Sequence, residues 1–289
     1  MLETKDETVF TQRLLPFIML SESFTKYSIR KSKGSTNPYV LFSDLSDYEF
    51  DLPSIEEQST LADKLWAAYN LKESYKRLLI ATDEMVKSQF IEMFGDVENN
   101  TKHYPVMQIK EIADTYAGAT PSTSNPDFWE DGTIPWMSSG EVHKGRVDQT
   151  DAMITQSGYD KCSTKMVPKH SVVIALAGQG KTRGTVAVNN IELCTNQSLC
   201  AIVPNEEIHY EYLYHNLRGR YTELRSMSGD VNGRGGLNLK HIQSIRVVVP
   251  PKEDQHKFVA IAEQADKSKF ELRKSIEAID QIIKSLTNN

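Results

Sequence analysis

One long unit occurs twice in this chain. Pro53-Ser54-Ile55-Glu56-Glu57-Gln58 returns as Pro250-Pro251-Lys252-Glu253-Asp254-Gln255, an offset of 250 − 53 = 197 residues. The offset holds without a gap through Leu20/Leu217, Thr25/Thr222, Glu56/Glu253, Gln58/Gln255, Ala68/Ala265, Lys72/Lys269, Ala81/Ala278, Asp83/Asp280, Lys87/Lys284 and Ser88/Ser285, all identical. Solenoids and propellers repeat every ~20–50 residues. A period this long implies a duplicated module of a domain plus a helix.

Each copy has the same local signals. Proline in the first turn of a helix forfeits no hydrogen bond, and the acids that follow complement the positive end of the helix dipole. A helix is therefore expected to start at each proline. In the second copy Phe258, Ile261, Ala265, Ser268, Leu272, Ser275, Ile279, Ile282 and Leu286 follow the 3-4 spacing of a coiled-coil seam. In the first, Leu61, Leu65, Ala68, Leu71, Tyr75, Leu78, Thr82, Met85 and Gln89 do nearly the same. Neither Gly nor Pro interrupts Ser54 to Phe94, so that helix is expected to run ~40 residues, or ~60 Å. The first helix leads into the intervening domain and the second leaves it, which requires an antiparallel pair with axes roughly 8–10 Å apart.

Four segments follow. Residues 1–52 read as the C-terminal part of a domain, because 13–52 parallel 210–249: a short amphipathic helix (Leu14, Leu15, Phe17, Leu20, Phe24), a Gly34-Ser35-Thr36-Asn37-Pro38 turn, and a closing strand with Tyr48, Phe50 and Leu52 alternating as Ile245, Val247 and Val249 do. Nothing upstream of Arg13 matches the second copy. Residues 53–97 form the first long helix, 98–250 a complete domain, and 251–289 the second helix. The complete domain reads as β-rich, with strands at Val106-Ile109, Val172-Leu176, Thr185-Val188 and Leu199-Val203, a helix over Tyr210-Leu224, and a polar glycine-rich loop over 228–236. The fold class is α+β: a β-rich domain with short helices, and two long antiparallel helices forming a coiled-coil spacer.

Composition narrows the function. No run approaches the ~20 apolar residues of a membrane helix, and the acidic start is unlike a signal peptide; the chain is expected in the cytoplasm. Cys162, Cys194 and Cys200 lack zinc-like spacing and read as buried thiols. The net charge of −6 argues against a phosphate-binding chain as a whole. Its distribution does not: Lys161, Lys165, Lys169, Lys181 and Arg183, then Arg218, Arg220, Arg225, Arg234, Lys240 and Arg246, fall in the complete domain.

Catalytic motifs fail in context. Ala175 to Thr182 resembles a phosphate-binding GxxxxGK[ST] loop without its first glycine, but that loop must open a helix, whereas Arg183 to Val188 returns to a strand. A hairpin turn is expected, whose Gln179, Lys181 and Arg183 suit phosphates or base edges. Asn125-Pro126-Asp127-Phe128 departs from the NPPF tetrapeptide of adenine methyltransferases at its third position and reads as a turn. Trp129 and Trp136 read as core. No nucleophile, metal set or acid/base pair emerges, so the chain is not expected to be an enzyme.

The closing pattern Asn238-Leu239, Ile242, Ile245, Val247, Pro250-Pro251, the acidic-Gln helix start and the duplication together resemble the specificity subunit of type I restriction–modification systems. So do Ile109-Lys110-Glu111-Ile112-Ala113, Gly118-Ala119-Thr120-Pro121, Ile134-Pro135-Trp136, Asn196-Gln197 and Tyr212-Leu213-Tyr214. The resemblance covers residues 13 to 289. It implies a target-recognition domain that reads one half of a bipartite site in double-stranded DNA, and helices that dock methyltransferase subunits. Those subunits bring adenine methylation and its S-adenosylmethionine, leaving this chain without a cofactor, and a separate motor subunit cleaves. The first recognition domain departs from the pattern in being reduced to its last ~40 residues. A homodimer or a second half-subunit is then an expected partner. Candidate DNA contacts are Thr120, Ser122, Ser138, Ser139, Lys144, Arg146, Gln179, Lys181, Arg183, Asn232 and Arg234. The rival readings are a coiled-coil adaptor with a protein-binding head and a fragment of a solitary DNA methyltransferase.

Overall fold

The computed structural model describes residues 3–95, 98, 100–178, 180–227 and 235–288. The helices are α1 (Leu15–Leu20), α2 (Glu22–Lys31), α3 (Phe42–Ser46), α4 (Ile55–Phe94), α5 (Ile109–Ile112), α6 (Gln156–Asp160), α7 (Tyr210–Gly219), α8 (Tyr221–Ser226), α9 (Leu239–Gln243) and α10 (Lys252–Asn288). The strands are β1 (Val106–Gln108), β2 (Ala113–Ala117), β3 (Ile134–Met137), β4 (Arg146–Val147), β5 (Ala152–Ile154), β6 (Ser171–Ala175), β7 (Val186–Asn189), β8 (Cys194–Thr195), β9 (Leu199–Pro204) and β10 (Arg246–Val248). They form two compact units, Met1–Asp83 with Ala265–Asn289, and Glu84–Gln264.

Both long helices start as their prolines dictate. Ser54 accepts from the Glu57 amide at 3.3 Å while the Glu57 carboxylate accepts from the Ser54 amide at 2.9 Å, a capping box that satisfies two orphan donors of α4. Gly95, at φ +68°, ends that helix; its amide donates to the Ile91 carbonyl at 2.7 Å. In the first unit the two helices run antiparallel, since Lys72 pairs with Asp280 and Asp83 with Lys269 at 2.9 Å. Under the 197-residue offset each pair is the counterpart of the other. Leu14 and Phe17 pack on Ala62 and Leu65 of α4, with Ile283 and Leu286 of α10 against the same cluster.

The seam differs from the expected one at alternate positions. On α10 the inward series is Gln255, Phe258, Ala262, Ala265, Lys269, Leu272, Ile276, Ile279, Ile283 and Leu286, a strict 3-4 alternation. Ile261, Ser268, Ser275 and Ile282 each stand one residue from it, and Ile282 is 53% exposed. On α4 the expected Leu71, Leu78 and Met85 lie outward, while Lys72, Leu79 and Val86 turn in. The expected phase avoided lysines. The fold accepts them because each finds an aspartate on the facing helix: Lys269, 7% exposed, lies between Asp83 and Asp266, the latter at 2.7 Å.

Two expectations for residues 1–52 fail. The single helix is two, broken at Ser21, whose hydroxyl accepts from the Phe24 amide at 3.2 Å as the N-cap of α2. Residues 48–52 form no strand. Their counterpart β10 is a strand because it pairs antiparallel with β1, Val106↔Val248 to Gln108↔Arg246, whereas no strand among the described residues pairs with 48–52. The repeat also reaches further upstream than Arg13. Gln58, fully buried, donates to the Val9 and Pro53 carbonyls and accepts from the Thr11 amide. Gln255 does the same with the Glu207 and Pro250 carbonyls and the His209 amide. The pairs Val9/Glu207 and Thr11/His209 are offset by one extra residue, a slip that hides the match from a gapless comparison.

The second unit holds a five-stranded sheet in the order β2-β9-β6-β7-β4, a three-stranded sheet β5-β3-β8, and the β1–β10 pair. Every residue of β6 and β7 is buried, as an unbroken apolar run predicts for a strand covered on both faces. The main cluster runs through Met137, Val142, Val147, Val173, Ala187, Leu193, Leu199 and Ala201. The helix expected over 210–224 is α7 and α8, broken at Arg220. Tyr212 of α7, fully buried, donates to the Val248 carbonyl at 2.7 Å. Its ring meets Phe90 and Phe94 at the end of α4, and both of these meet Phe258 at the start of α10, with centroids 4.9–5.8 Å apart.

Candidate nucleic-acid interface

Sheet register decides which loops become neighbours. β2, β9, β6 and β7 alternate in direction, and the pairs Ala117↔Cys200, Ala175↔Leu199 and Ile174↔Val186 bring the end of β2, the start of β9 and the β6–β7 hairpin to one end of the sheet. β3 runs parallel to β8 with Met137↔Thr195, which delivers the segment from Ser138 to that same end. Backbone bonds tie these loops together. Ala119 donates to the Thr195 carbonyl at 2.9 Å, Asn196 to the Met137 carbonyl at 3.1 Å, and Leu176 to the Ser198 carbonyl at 2.8 Å.

On this frame Thr120 donates to the Gln197 side chain. Ser122 is exposed beside Ser124, its carbonyl accepting from Trp129 Nε1 at 3.0 Å. Trp129 and Trp136 meet edge to face at 5.1 Å, and Trp136 Nε1 donates to the Ala119 carbonyl at 3.1 Å. Both tryptophans belong to a small core cluster beneath the loop, as expected. Ser138 and Ser139 are half-buried; the Ser138 amide donates to Glu141 at 2.7 Å. The hairpin reading of residues 175–186 holds, because β6 and β7 pair antiparallel and no helix follows the loop. Lys181 is exposed on that hairpin and makes no ion pair among the described residues. His143 Nε2 lies 3.1 Å from the Thr182 hydroxyl, and Arg225 of α8 donates to the Gly180 carbonyl.

Three charged candidates are engaged by other groups of the chain, Arg183 buried, Arg146 half-buried and Lys144 exposed. Arg183 is 2% exposed and donates to the Gly235 carbonyl. A side chain so enclosed braces the hairpin from within. Arg146 of β4 makes a bidentate pair with Glu211 of α7, both contacts at 2.7 Å, and lies 4.7 Å from the centroid of Tyr214. Lys144 pairs with Asp151 and with the buried Glu141, each at 2.8 Å, and those two carboxylates, Asp151 foremost, hold its ammonium above the usual lysine range. Gln179, Asn232 and Arg234 lie outside the described residues.

Gln197, Thr182 and Arg225 join the loop cluster without having been singled out as contacts. Asn196-Gln197 had a signal in the resemblance, and Arg225 one in the basic run. Asn125-Pro126-Asp127-Phe128 is the expected turn, with Asn125 Oδ1 accepting from the Asp127 amide at 3.2 Å. The cysteines are unpaired thiols. Burial pushes Cys194 up to about 11 and Cys200 up to about 12, which makes them poor nucleophiles. Among the described residues no helix is long and apolar enough to cross a membrane, and no His, Cys, Asp and Glu cluster is arranged to hold a metal.

Hydroxyls, an amide side chain and a lysine on loops held by a rigid sheet suit a polyanion with patterned edges. Comparison with known proteins bears on this. The chain is 28% identical over 174 residues to the specificity subunit of the Escherichia coli type I restriction enzyme EcoR124I/EcoR124II, covering 60% of this chain and 41% of that one. It is 25% identical over 201 residues to the MjaIX specificity subunit of Methanocaldococcus jannaschii, covering 67% and 45%. It thus spans less than half the length of these curated relatives. In fold it is similar to the type I restriction–modification S subunit of M. genitalium, with a TM-score of 0.64 and 17% identity over 98% of this chain and 73% of that one. The type I restriction modification DNA specificity domain matches residues 101–281, well over half of the chain, and the chain therefore belongs to that family.

Proposed function

We propose that this chain reads DNA sequence through the loops at one end of its five-stranded sheet, supplies no catalysis itself, and presents its long helices to methyltransferase subunits. The observation that carries the reading is the register that gathers Thr120, Ser138, Ser139, Gln197 and Lys181 at one edge of a domain whose family is named for DNA specificity. Phosphate contacts position a protein on the duplex, and base-edge contacts specify. Lys181 takes the first task. Thr120 and Gln197 take the second, Gln being suited to adenine in the major groove. Lys181→Ala should weaken duplex binding evenly across sequences and reduce the slope of log affinity against log salt by about 1. An unchanged affinity and slope would remove Lys181 from the interface.

Docking is proposed on the outer face of α4, where Leu71, Leu78 and Met85 are 45–50% exposed at intervals of seven, one stripe of a helix. Some apolar positions of residues 1–52 form a second such surface. Leu20 is 71% exposed where its counterpart Leu217 is buried, and Phe50 and Leu52 are exposed where Val247 and Val249 are covered. A half-subunit or a second copy of the chain is the proposed cover, and two recognition domains would then read a site with two halves. Native mass spectrometry of the chain with its methyltransferase tests both. Leu78→Glu with Met85→Glu should abolish the mixed complex while leaving the chain folded. A chain that stays monomeric at every concentration, alone and with the methyltransferase, excludes the self-paired form.

A further inference from the structure

The opposite end of the five-stranded sheet carries a cleft of about 470 Å³, between the residues before β6, those after β9, and the starts of α7 and α10. Basic side chains dominate its wall: Lys169, His170, His209, Lys252 and His256, with Glu206 as the acid among them. Ring contacts order the histidines, of which His170 and His256 are exposed and His209 half-buried. The His170 ring stacks nearly parallel on Tyr210 at 4.5 Å, and His209 stacks on Tyr210 at 4.7 Å. His209 stands 5.7 Å from His256, edge to face.

Two backbone features fix this arrangement. His170 has φ +66°, a left-handed conformation uncommon outside glycine, and its amide donates to the Asn189 carbonyl at 2.7 Å. His209 Nδ1 accepts from the Glu211 amide at 3.2 Å and its own amide donates to buried Gln255 at 2.8 Å, so the ring caps α7 and its proton sits on Nε2. Burial first, then the nearby His256, with His170 adding less, holds His209 below the ordinary histidine value, against an opposing pull from Glu263. Packing alone does not call for three imidazoles and two ammonium groups around one open cleft.

We propose that this cleft is a binding site for a phosphate monoester of about mononucleotide size. Small-molecule sites span roughly 300–1,000 Å³, and a few convergent polar groups fix orientation in them. A phosphate dianion brought to the cleft pairs with the ammonium groups of Lys169 and Lys252 and accepts hydrogen bonds from imidazole N–H groups. The site lies across the sheet from the loops assigned to DNA, and it does not depend on that assignment.

The test is histidine side-chain NMR of the full chain, whose seven histidines leave His103, His143, His215 and His241 as internal controls. Adenosine 5′-monophosphate should shift His170, His209 and His256 saturably, with Kd on the order of 1 mM or tighter, and leave the controls in place. Adenosine, lacking the phosphate, should shift none of them. Lys169→Ala with Lys252→Ala, both at exposed positions, should weaken binding about tenfold or more without moving the controls or the melting temperature. Absence of a saturable shift, equal binding of adenosine, or full binding by the double variant overturns the proposal.

Discussion

Arg146→Ala should unfold the recognition domain at markedly lower denaturant while leaving its chemistry toward DNA untouched. The guanidinium is committed on two sides, to both oxygens of Glu211 at 2.7 Å and to the face of Tyr214 at 4.7 Å. Glu211 is 6% exposed. Removing one partner of a buried pair costs up to about 3–5 kcal/mol, and with the Arg146 side chain 25% exposed the lower part of that range is expected, still a large part of the roughly 5–15 kcal/mol by which domains are stable. Arg146→Lys should recover little, because an ammonium offers neither the two-pronged geometry nor the flat stack. Arg146→Met with Glu211→Leu should recover most of the loss, since well-packed apolar pairs replace buried ion pairs at little cost. Urea denaturation reads all three. If Arg146→Ala keeps its midpoint and instead loses DNA affinity, the residue is a DNA contact after all.

Gly118→Ala is expected to break the interface by another route. A methyl group at this position would overlap the Thr195 carbonyl and hydroxyl oxygens and the Asn196 carbonyl oxygen. Backbone cannot swing aside as a side chain does. The loop carrying Thr120 must therefore separate from the loop carrying Gln197, at a cost of about 1–3 kcal/mol or more and with loss of the Thr120–Gln197 hydrogen bond. Gly140→Ala is the control, because its nearest neighbour is the Ser138 hydroxyl at 4.0 Å. Stability and sequence preference should both suffer in the first variant and neither in the second. A Gly118→Ala chain with normal DNA discrimination would show that the two loops act separately.

Much of the fold was legible because its signals are local. The prolines and acids at Pro53 and Pro250, the 3-4 spacing after each, and the apolar runs that became β6, β7 and β9 depend on neighbouring residues alone. β4 and β8 have two residues each and β5 three, too few to display a period. The seam phase was misjudged because Lys72 and Lys269 look like surface residues until the aspartates on the facing helix are known. Residues 48–52 carry a strand-like alternation, but no strand among the described residues pairs with them.

The candidate site was half legible for the same reason. Residue type identified Thr120, Ser138, Ser139 and Lys181 as polar loop positions. Only the register of β2, β9, β6 and β7 puts them at one end of the sheet with Gln197. Residue type alone also did not show that Arg183, whose charge suggested a phosphate contact, is buried.

Base reading by these loops entails a sequence preference that they set. Its most direct test is to recover duplexes from a randomised pool with the wild-type chain and with Thr120→Ala and Gln197→Ala, each in complex with its methyltransferase, and to compare the sequences retained. A defined half-site is expected for the wild type, and relaxed preference at one or two of its positions in each variant. A good base contact contributes about 1–3 kcal/mol of discrimination, on the order of tenfold or more. Identical recovered sequences from all three chains would contradict it.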